Sequence, residues 1–305
     1  MSIWVAGEVL IDVLPTGPVV GGGPANTAKA LARLGYDVEF IDGISTDAYG
    51  VSARSELSRD GVKLTHAHSS DKPTCTAEVT LDDKGAASYI FTIDGTATFD
   101  FHASWLPDPS RFKPSLLHIG TLVTIIEPGC QVLHEWAMNT AEFAPIVFDP
   151  NIRSSVLGNR DLYEAAVEKW AAISTVIKVS DDDLAWLFPN TDQVAVAQRW
   201  ISDGVAMVVI TRGAEGLTAV TAHEICNVPG VKVDVIDTVG AGDTVGAIIV
   251  EALIEHGVLN LQGKLLRDVL VRASVAASIT CSRKGAQPPT KNELSDAVEK
   301  LENRA

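Results

Sequence analysis

Strand-like and helical segments alternate along most of this chain. Apolar runs such as LLHIG at 116–120 and MVVITRG at 207–213 are separated by amphipathic stretches such as RDLYEAAVEKWAA at 160–172. Repeated strand, helix, strand order is typical of a mostly parallel sheet with helices on both faces. SIWVAGEVLIDVL at 2–14 fits as the first strand, and VDVID at 233–237 fits as a late one. The pattern therefore predicts an α/β fold.

One stretch breaks the alternation. Residues 72–101 alternate in the manner of β-strands around a DDKG turn and contain no helical pattern. An inserted hairpin of this kind predicts a small β lid over a site, built from about 13–20 and 72–101. The chain has no repeat and no long linker, so we expect a single domain over 1–305.

Composition narrows the class of protein. The longest apolar runs fall short of the roughly 18 residues that span a bilayer, and the amino-terminal segment lacks the basic start of a signal peptide. The formal net charge of −15 argues against a nucleic-acid partner. The cysteines lie far apart with no CxxC pair, which predicts neither disulfides nor zinc and favours the cytoplasm; they are Cys75, Cys130, Cys226 and Cys281.

The glycine turn DTVGAGD at 237–243 precedes an apolar helical run. It admits three interpretations. A dinucleotide fingerprint would need glycine at position 245, where Val245 stands. A plain structural turn remains open. In the third interpretation, the amides of Gly240, Ala241 and Gly242 at a helix N-terminus bind phosphate, and Asp243 is a charged base beside it.

Several motifs together resemble the ribokinase-like (PfkB) family of carbohydrate kinases. DTVGAGD and GGGPANTAKALARLG at 21–35 resemble its two signatures. The resemblance covers nearly the whole chain, and its other motifs are GEVLID at 7–12, Gly43, Ile44, Asp47 and Gly50 of a GIxxDxxG pattern, TRGAEG at 211–216 and RKGAQP at 283–288. DPNIR at 149–153 is similar to the fructokinase branch. The family implies a three-layer sandwich with a mostly parallel central sheet and a small β-sheet lid.

The resemblance also implies roles for particular residues. Asp243 would be the catalytic base, and Gly240, Ala241 and Gly242 the anion hole. The residues that match sugar-binding positions are Asp12, Gly22, Gly23, Asn26 and Arg153. For these, the alternatives are a strand-end acid at Asp12, a helix cap at Asn26 and a surface arginine at Arg153.

The nucleotide and metal positions follow in the same way. Matching nucleotide positions are Lys178, Ser180, Thr211, Gly213 and Gly216, although Lys178 alone reads equally as a solvent-facing strand end. The family's N-x-x-E motif is replaced by Ser180 and Asp183, so we expect Asp183, or else Asp181 or Asp182, to hold Mg²⁺ through water. Asp237, Val239 and Gly285 match a site for a monovalent cation, which would be K⁺; capping of its own turn is an equal alternative for Asp237.

The resemblance thus implies ATP, Mg²⁺ and K⁺ as ligands and a sugar with a primary hydroxyl as the phosphoryl acceptor. Fructose is the expected sugar, with 2-keto-3-deoxygluconate, ribose and nucleosides as alternatives. A non-catalytic sugar-binding protein stays open because the metal motif is altered. An NAD-dependent dehydrogenase is disfavoured by the missing GxGxxG. A homodimer formed through the lid is a further expectation.

Overall fold

The protein is described from a computed structural model that covers residues 2–81 and 87–303. An eight-stranded sheet forms its centre, in the order β14-β13-β12-β11-β10-β9-β1-β4. Numbered along the chain, these strands are β1 (Ile3–Ala6), β4 (Val38–Ile41), β9 (Leu116–Gly120), β10 (Ile146–Asp149), β11 (Val176–Ser180), β12 (Met207–Thr211), β13 (Leu217–Thr221) and β14 (Ile225–Val228). All neighbouring pairs from β4 to β12 are parallel, and only β13 and β14 run antiparallel to their neighbours.

Helices cover both faces of this sheet. They are α1 (Gly23–Arg33), α2 (Ala48–Arg59), α3 (Pro109–Phe112), α4 (Gly129–Ala141), α5 (Arg160–Ala171), α6 (Asp181–Leu187), α7 (Gln193–Ser202), α8 (Ala241–His256), α9 (Gly263–Cys281) and α10 (Lys291–Glu302). Short 3₁₀ turns occupy Thr121–Thr124, Gly213–Glu215 and Val258–Asn260.

Alternate side chains of each central strand enter two separate cores. In β1, Ile3 and Val5 pack with α1, α8 and α9, whereas Trp4 and Ala6 pack with α4, α5 and α7. Both faces are therefore buried, which explains why these strands are almost continuously apolar. The resulting three layers, with a mostly parallel central sheet and a smaller second sheet, confirm the predicted fold class.

The smaller sheet has the order β3-β2-β7-β8. Its strands are β2 (Leu10–Leu14), β3 (Gly17–Gly21), β7 (Thr76–Leu81) and β8 (Ala87–Thr92), and a separate parallel pair joins β5 (Gly43–Ser45) to β6 (His68–Ser70). Strands β7 and β8 pair antiparallel, as a hairpin requires. The DDKG turn between them lies outside the described residues.

Two strand predictions were wrong. SIWVAGEVLIDVL divides into β1 and β2, which belong to different sheets. VDVID at 233–237 forms no strand; Val235 and Ile236 are 62% and 67% exposed. The amides of Ile236 and Asp237 instead donate to the backbone oxygen of Cys281 at the end of α9, at 2.8 and 3.2 Å, so this part of the segment is bonded to a helix end and not to a strand. Among residues 2–81 and 87–303, no helix is long and apolar enough to cross a membrane.

Candidate active site

The glycine turn and α8 meet the carboxyl ends of β9, β10 and β11. Gly240 is the N-cap of α8 and has φ of +79°, a left-handed conformation that glycine adopts without a steric penalty. A Cβ atom built on Gly240 would lie 2.7 Å from Cβ of Ala286. Glycine therefore lets the 283–288 loop pack directly against the turn that begins the helix.

Asp243 lies in the first turn of α8 and is buried. Its Oδ2 accepts a hydrogen bond of 2.9 Å from Nδ2 of Asn26, and its backbone oxygen accepts one of 3.3 Å from the Thr27 hydroxyl. Burial raises the pKa of Asp243 to about 6, although the nearby Lys178 ammonium opposes this shift. The carboxylate is thus ionised at neutral pH and is more basic than an exposed aspartate, as suits a proton acceptor.

Asn26 owes its position to this contact and not to capping. The N-cap of α1 is Gly22, and no side chain caps that helix. The cap alternative for Asn26 is therefore wrong.

Lys178 is buried and does not face solvent. Its Nζ lies 2.8 Å from Oδ2 of Asp149 and 3.1 Å from the position that a Cβ on Gly242 would occupy. Burial disfavours the ammonium, but Asp149 and Asp243 outweigh that cost and raise the pKa of Lys178. A fixed positive charge therefore lies beside the glycine turn, where an anionic group would meet it.

The predicted sugar positions surround Gly23. A Cβ there would lie 2.9 Å from both Nδ2 of Asn151 and Cγ2 of Thr121, and 3.3 Å from Oδ1 of Asp243. Only glycine leaves this space open. Half-buried Asp12 lies on β2, where burial raises its pKa to about 6 while exposed Arg153 opposes the shift.

Arg153 is oriented by its own loop. Its Nη1 donates to Oδ1 of Asn151 at 2.6 Å. Its charge also lowers the pKa of Asp243, after the larger effects of burial and Lys178. The structure therefore places Gly23 beside the carboxylate of Asp243. It also places Arg153 where its charge acts on both Asp243 and Asp12.

Sequence reasoning missed several polar residues in this region. Thr121 and Asn151 take positive φ values of 62° and 38°, which non-glycine residues adopt rarely and often at functional sites. Buried Glu8 accepts a hydrogen bond from the Thr121 hydroxyl, and burial raises its pKa to about 7. Glu8 and Asn151 stand inside GEVLID and DPNIR, so the motifs contained them but gave no sign of their contacts.

A cavity of about 550 Å³ opens beside the glycine turn. Thr211, Gly213 and Gly216 line it, together with Ala241 and Gly242. The other lining residues are Ala214, Leu217, Gly230, Val231, Lys232, Val233, Val235, Thr238, Val245, Ser274, Ala277, Ser278 and Cys281. Apolar residues of the misassigned VDVID segment, Val233 and Val235, thus form one wall of this cavity. We call it the nucleotide cavity after Thr211, Gly213 and Gly216, which are predicted to bind the nucleotide.

Ser180 and Asp183 form a capping box at the start of α6. The Ser180 hydroxyl accepts from the Asp183 amide at 3.0 Å, and Oδ1 of Asp183 accepts from the Ile152 amide at 3.0 Å. Burial raises the pKa of Asp183. Asp149, in contrast, keeps a buried Oδ1 that has no hydrogen-bond partner within the described part of the chain. Of the two carboxylates, Asp149 therefore has the freer oxygen for a hard cation.

The described residues contain no cluster of three or more His, Cys, Asp or Glu that would hold a metal by itself. Asp237 joins the two loops near Gly240: its Oδ1 accepts from the Val239 amide at 3.1 Å and its Oδ2 from the Gly285 amide at 2.8 Å. The three residues predicted for a monovalent cation are thus neighbours.

A glycine turn that begins a helix, a buried carboxylate with a raised pKa and a large adjoining cavity are the features expected of a phosphoryl-transfer site. Residues 9–293 match the model of the pfkB family of carbohydrate kinases. The chain belongs to this family, which confirms the resemblance drawn from its motifs.

Relatives and solved structures are similar over most of the chain. A fructokinase of Rhizobium leguminosarum bv. trifolii is 35% identical over 256 residues, covering 81% of this chain and 78% of that protein. Fructokinase-2 of rice (Oryza sativa subsp. japonica) is 30% identical over 97% of this chain and 94% of its own length. The structure of a Xylella fastidiosa fructokinase with bound ATP superposes with a TM-score of 0.91 at 23% identity, covering 99% of both chains.

Proposed function

We propose that this protein is an ATP-dependent kinase that phosphorylates a primary hydroxyl of fructose. The observation that carries the proposal is the buried Asp243 carboxylate, which lies between the nucleotide cavity and the polar pocket around Gly23. Fructose is the proposed sugar because the similar proteins include fructokinases. A Vibrio cholerae fructokinase whose structure contains fructose, ADP and potassium has the same fold, with a TM-score of 0.85 over 98% of both chains at 24% identity.

The sugar lies in the pocket around Gly23, under the smaller sheet as a lid. Asp12 and Asn26 hydrogen-bond sugar hydroxyls, because carboxylate and amide groups accept from and donate to them. The backbone of Gly22 and Gly23 approaches the sugar closely, and Arg153 contacts its reacting end.

Asp243 accepts the proton of the primary hydroxyl as that oxygen attacks the γ-phosphorus of ATP. The bond from the γ-phosphorus to the bridging oxygen breaks, and ADP leaves with that oxygen. The amides of Gly240, Ala241 and Gly242 meet the charge that develops on the transferred group. Lys178 adds a fixed positive charge on the same side. ATP lies in the nucleotide cavity, with Thr211, Gly213 and Gly216 along its phosphates and the approach to adenine, and Ser180 near the phosphates.

Mg²⁺, when bound, neutralises part of the phosphate charge. Asp183 would hold it through water, and the free Oδ1 of Asp149 would serve as a second point of attachment. Asp237 and the backbone carbonyls of Val239 and Gly285 would hold K⁺, which would steady the loop that packs on Gly240.

The first experiment is a coupled ADP-release assay with Mg-ATP and a panel of fructose, 2-keto-3-deoxygluconate, ribose and adenosine, each with and without K⁺. Fructose is expected to give the highest kcat/KM, and K⁺ is expected to raise the rate. A clear preference for another sugar would reject fructose. If calorimetry showed sugar binding but the assay showed no ADP release, the protein would be a sugar-binding protein and not an enzyme.

The proposal extends to assembly and location. Val19 and Ile90 of the smaller sheet are 42% and 62% exposed, and a second copy pairing through this sheet would cover them. The four cysteines are free thiols, which the reducing cytoplasm maintains. Light scattering of the protein and of Ile90→Asp tests the dimer; a mass of one chain for the unaltered protein would reject it.

A further inference from the structure

A second cavity, of about 340 Å³, shares no lining residue with the nucleotide cavity. It lies between β3, α1, α2 and the loop at 284–287. Its lining residues are Val19, Val20, Lys29, Arg33, Glu56, Arg59, Asp60, Lys284, Gly285, Ala286 and Gln287. We call it the basic cavity.

The basic cavity is positive although the protein is acidic. Four of its lining residues are basic and two are acidic, which gives a formal charge of +2 (four minus two) in a chain of −15. Concave sites lined by one sign of charge concentrate ligands of the opposite sign. The charge of this cavity therefore selects an anion.

Most of its cations have unused hydrogen-bond donors. Lys29 is paired closely with Glu56, at 2.5 Å. Arg33 and Arg59, however, approach their nearest carboxylate oxygens only to 4.0 and 3.8 Å. By comparison, arginines outside the cavity reach their carboxylates at 2.6 to 2.7 Å; these are Arg199, Arg272 and Arg283.

The side chains of Arg33, Arg59 and Lys284 donate no hydrogen bond to any atom in the described ranges, 2–81 and 87–303. The Arg33 side chain is only 25% exposed, so water reaches only part of its hydrogen-bond donors. Guanidinium groups bind phosphate oxygens through paired N–H donors, and these bonds are stronger than neutral ones.

We propose that the basic cavity binds a small multivalent oxyanion of the phosphate class, either inorganic phosphate or a phosphate ester. Arg33 and Arg59 donate to its oxygens, and Lys284 closes over it from the loop. The ligand is separate from ATP, since the two cavities have no residue in common.

The occupant would touch two elements that hold the candidate active site. Ala286 lines the basic cavity and also lies against Gly240, the N-cap of α8. Val19 lines it from β3 and pairs in register with Asp12 on β2. Binding therefore alters sugar affinity or turnover; this second claim rests on the proposed kinase function, whereas the binding claim does not.

The test is calorimetric titration of the full-length protein, saturated with Mg-ADP, with inorganic phosphate and separately with glycerol 3-phosphate. The variant Arg33→Gln/Arg59→Gln is compared with Arg111→Gln/Arg160→Gln, which removes the same charge from exposed arginines elsewhere. We expect the unaltered protein and the control to bind alike, and the cavity variant to bind at least about tenfold more weakly, which is about 1.4 kcal/mol. The probe that binds with the lower Kd shows whether the ligand is free phosphate or a phosphate ester.

Two results would overturn the site: no binding of either probe at millimolar concentrations, or equal binding by the cavity variant. Thermal unfolding of each variant verifies that it is folded. ADP release measured with and without the anion tests the coupling. We expect an anion-dependent change in kcat or KM that the cavity variant loses while keeping its rate without the anion. Binding with unchanged kinetics would refute the coupling and keep the site.

Discussion

Replacing Asp243 by asparagine should separate catalysis from stability. The substitution keeps the shape of the side chain. It also keeps an oxygen that can accept the hydrogen bond from Nδ2 of Asn26, which lies 2.9 Å from Oδ2 of Asp243. It removes the charge that accepts the proton, so we expect kcat to fall by about 10² to 10⁴, the usual contribution of a general base. Sugar affinity should change little because Asp12 and Arg153 remain.

The same substitution should stabilise the fold. Burial raises the pKa of Asp243 from 3.8 to about 6, so the folded state binds its proton more tightly than the unfolded state. Stability from this group is fully present below pH 3.8 and is lost as pH rises through about 6. About two pKa units correspond to about 3 kcal/mol above pH 6. Asparagine does not ionise, so the variant does not lose this stability as the pH rises.

The assays are coupled ADP release and denaturant unfolding, each run at several pH values. Asp243→Asn should be more stable than the unaltered protein above pH 6, and the difference should vanish near pH 4. In a thermal scan the gain is a rise in Tm of roughly 5 °C. Asp296→Asn, at an exposed position on α10, is the matched control and should change neither quantity. Near-normal turnover, or lower stability above pH 6, would refute the reasoning.

Three further predictions follow from the same site. The kcat/KM profile should rise with pH and level off above about 6, because only ionised Asp243 accepts a proton; a flat acid limb would contradict this. Lys178→Met should cost about 3–5 kcal/mol of unfolding free energy by leaving Asp149 buried and unpaired. Adding Asp149→Asn should recover most of this loss. A double variant as unstable as the single one in denaturant titration would contradict this explanation. Gly240→Ala should lose turnover and cost about 1–3 kcal/mol of unfolding free energy, because the added Cβ would lie 2.7 Å from Cβ of Ala286. Adding Ala286→Gly should recover part of this loss; no recovery would show that this contact is unimportant.

The sequence was most informative where signals are local. Alternation of apolar runs with amphipathic stretches indicated the parallel sheet and its covering helices. Gly240 and Asp243 were located correctly at a helix start because a glycine turn before an apolar run is itself a local pattern. VDVID misled for the same reason: its β-branched alternation is a local strand pattern, whereas its amides at Ile236 and Asp237 bond to the distant Cys281.

Contacts between distant residues needed the folded chain. Asn26 meets Asp243 across 217 positions of sequence, and its motif alone allowed a helix cap equally well. Lys178 was predicted to bind the nucleotide, with a solvent-facing strand end as the alternative. That alternative is wrong, because Lys178 is 3% exposed and paired with Asp149. Ser180 and Asp183 matched a metal motif, and the fold engages them in capping α6.

The sequence by itself determined the fold class, the family and the position of the glycine turn and Asp243 at a helix start, because these depend on patterns that neighbouring residues carry. The tertiary structure alone decided the basicity of Asp243, the two cavities and the charge around each. Burial and electrostatic interaction depend on which elements pack together, and that packing brings together groups from α1, β10, β11 and α8 that no local pattern connects.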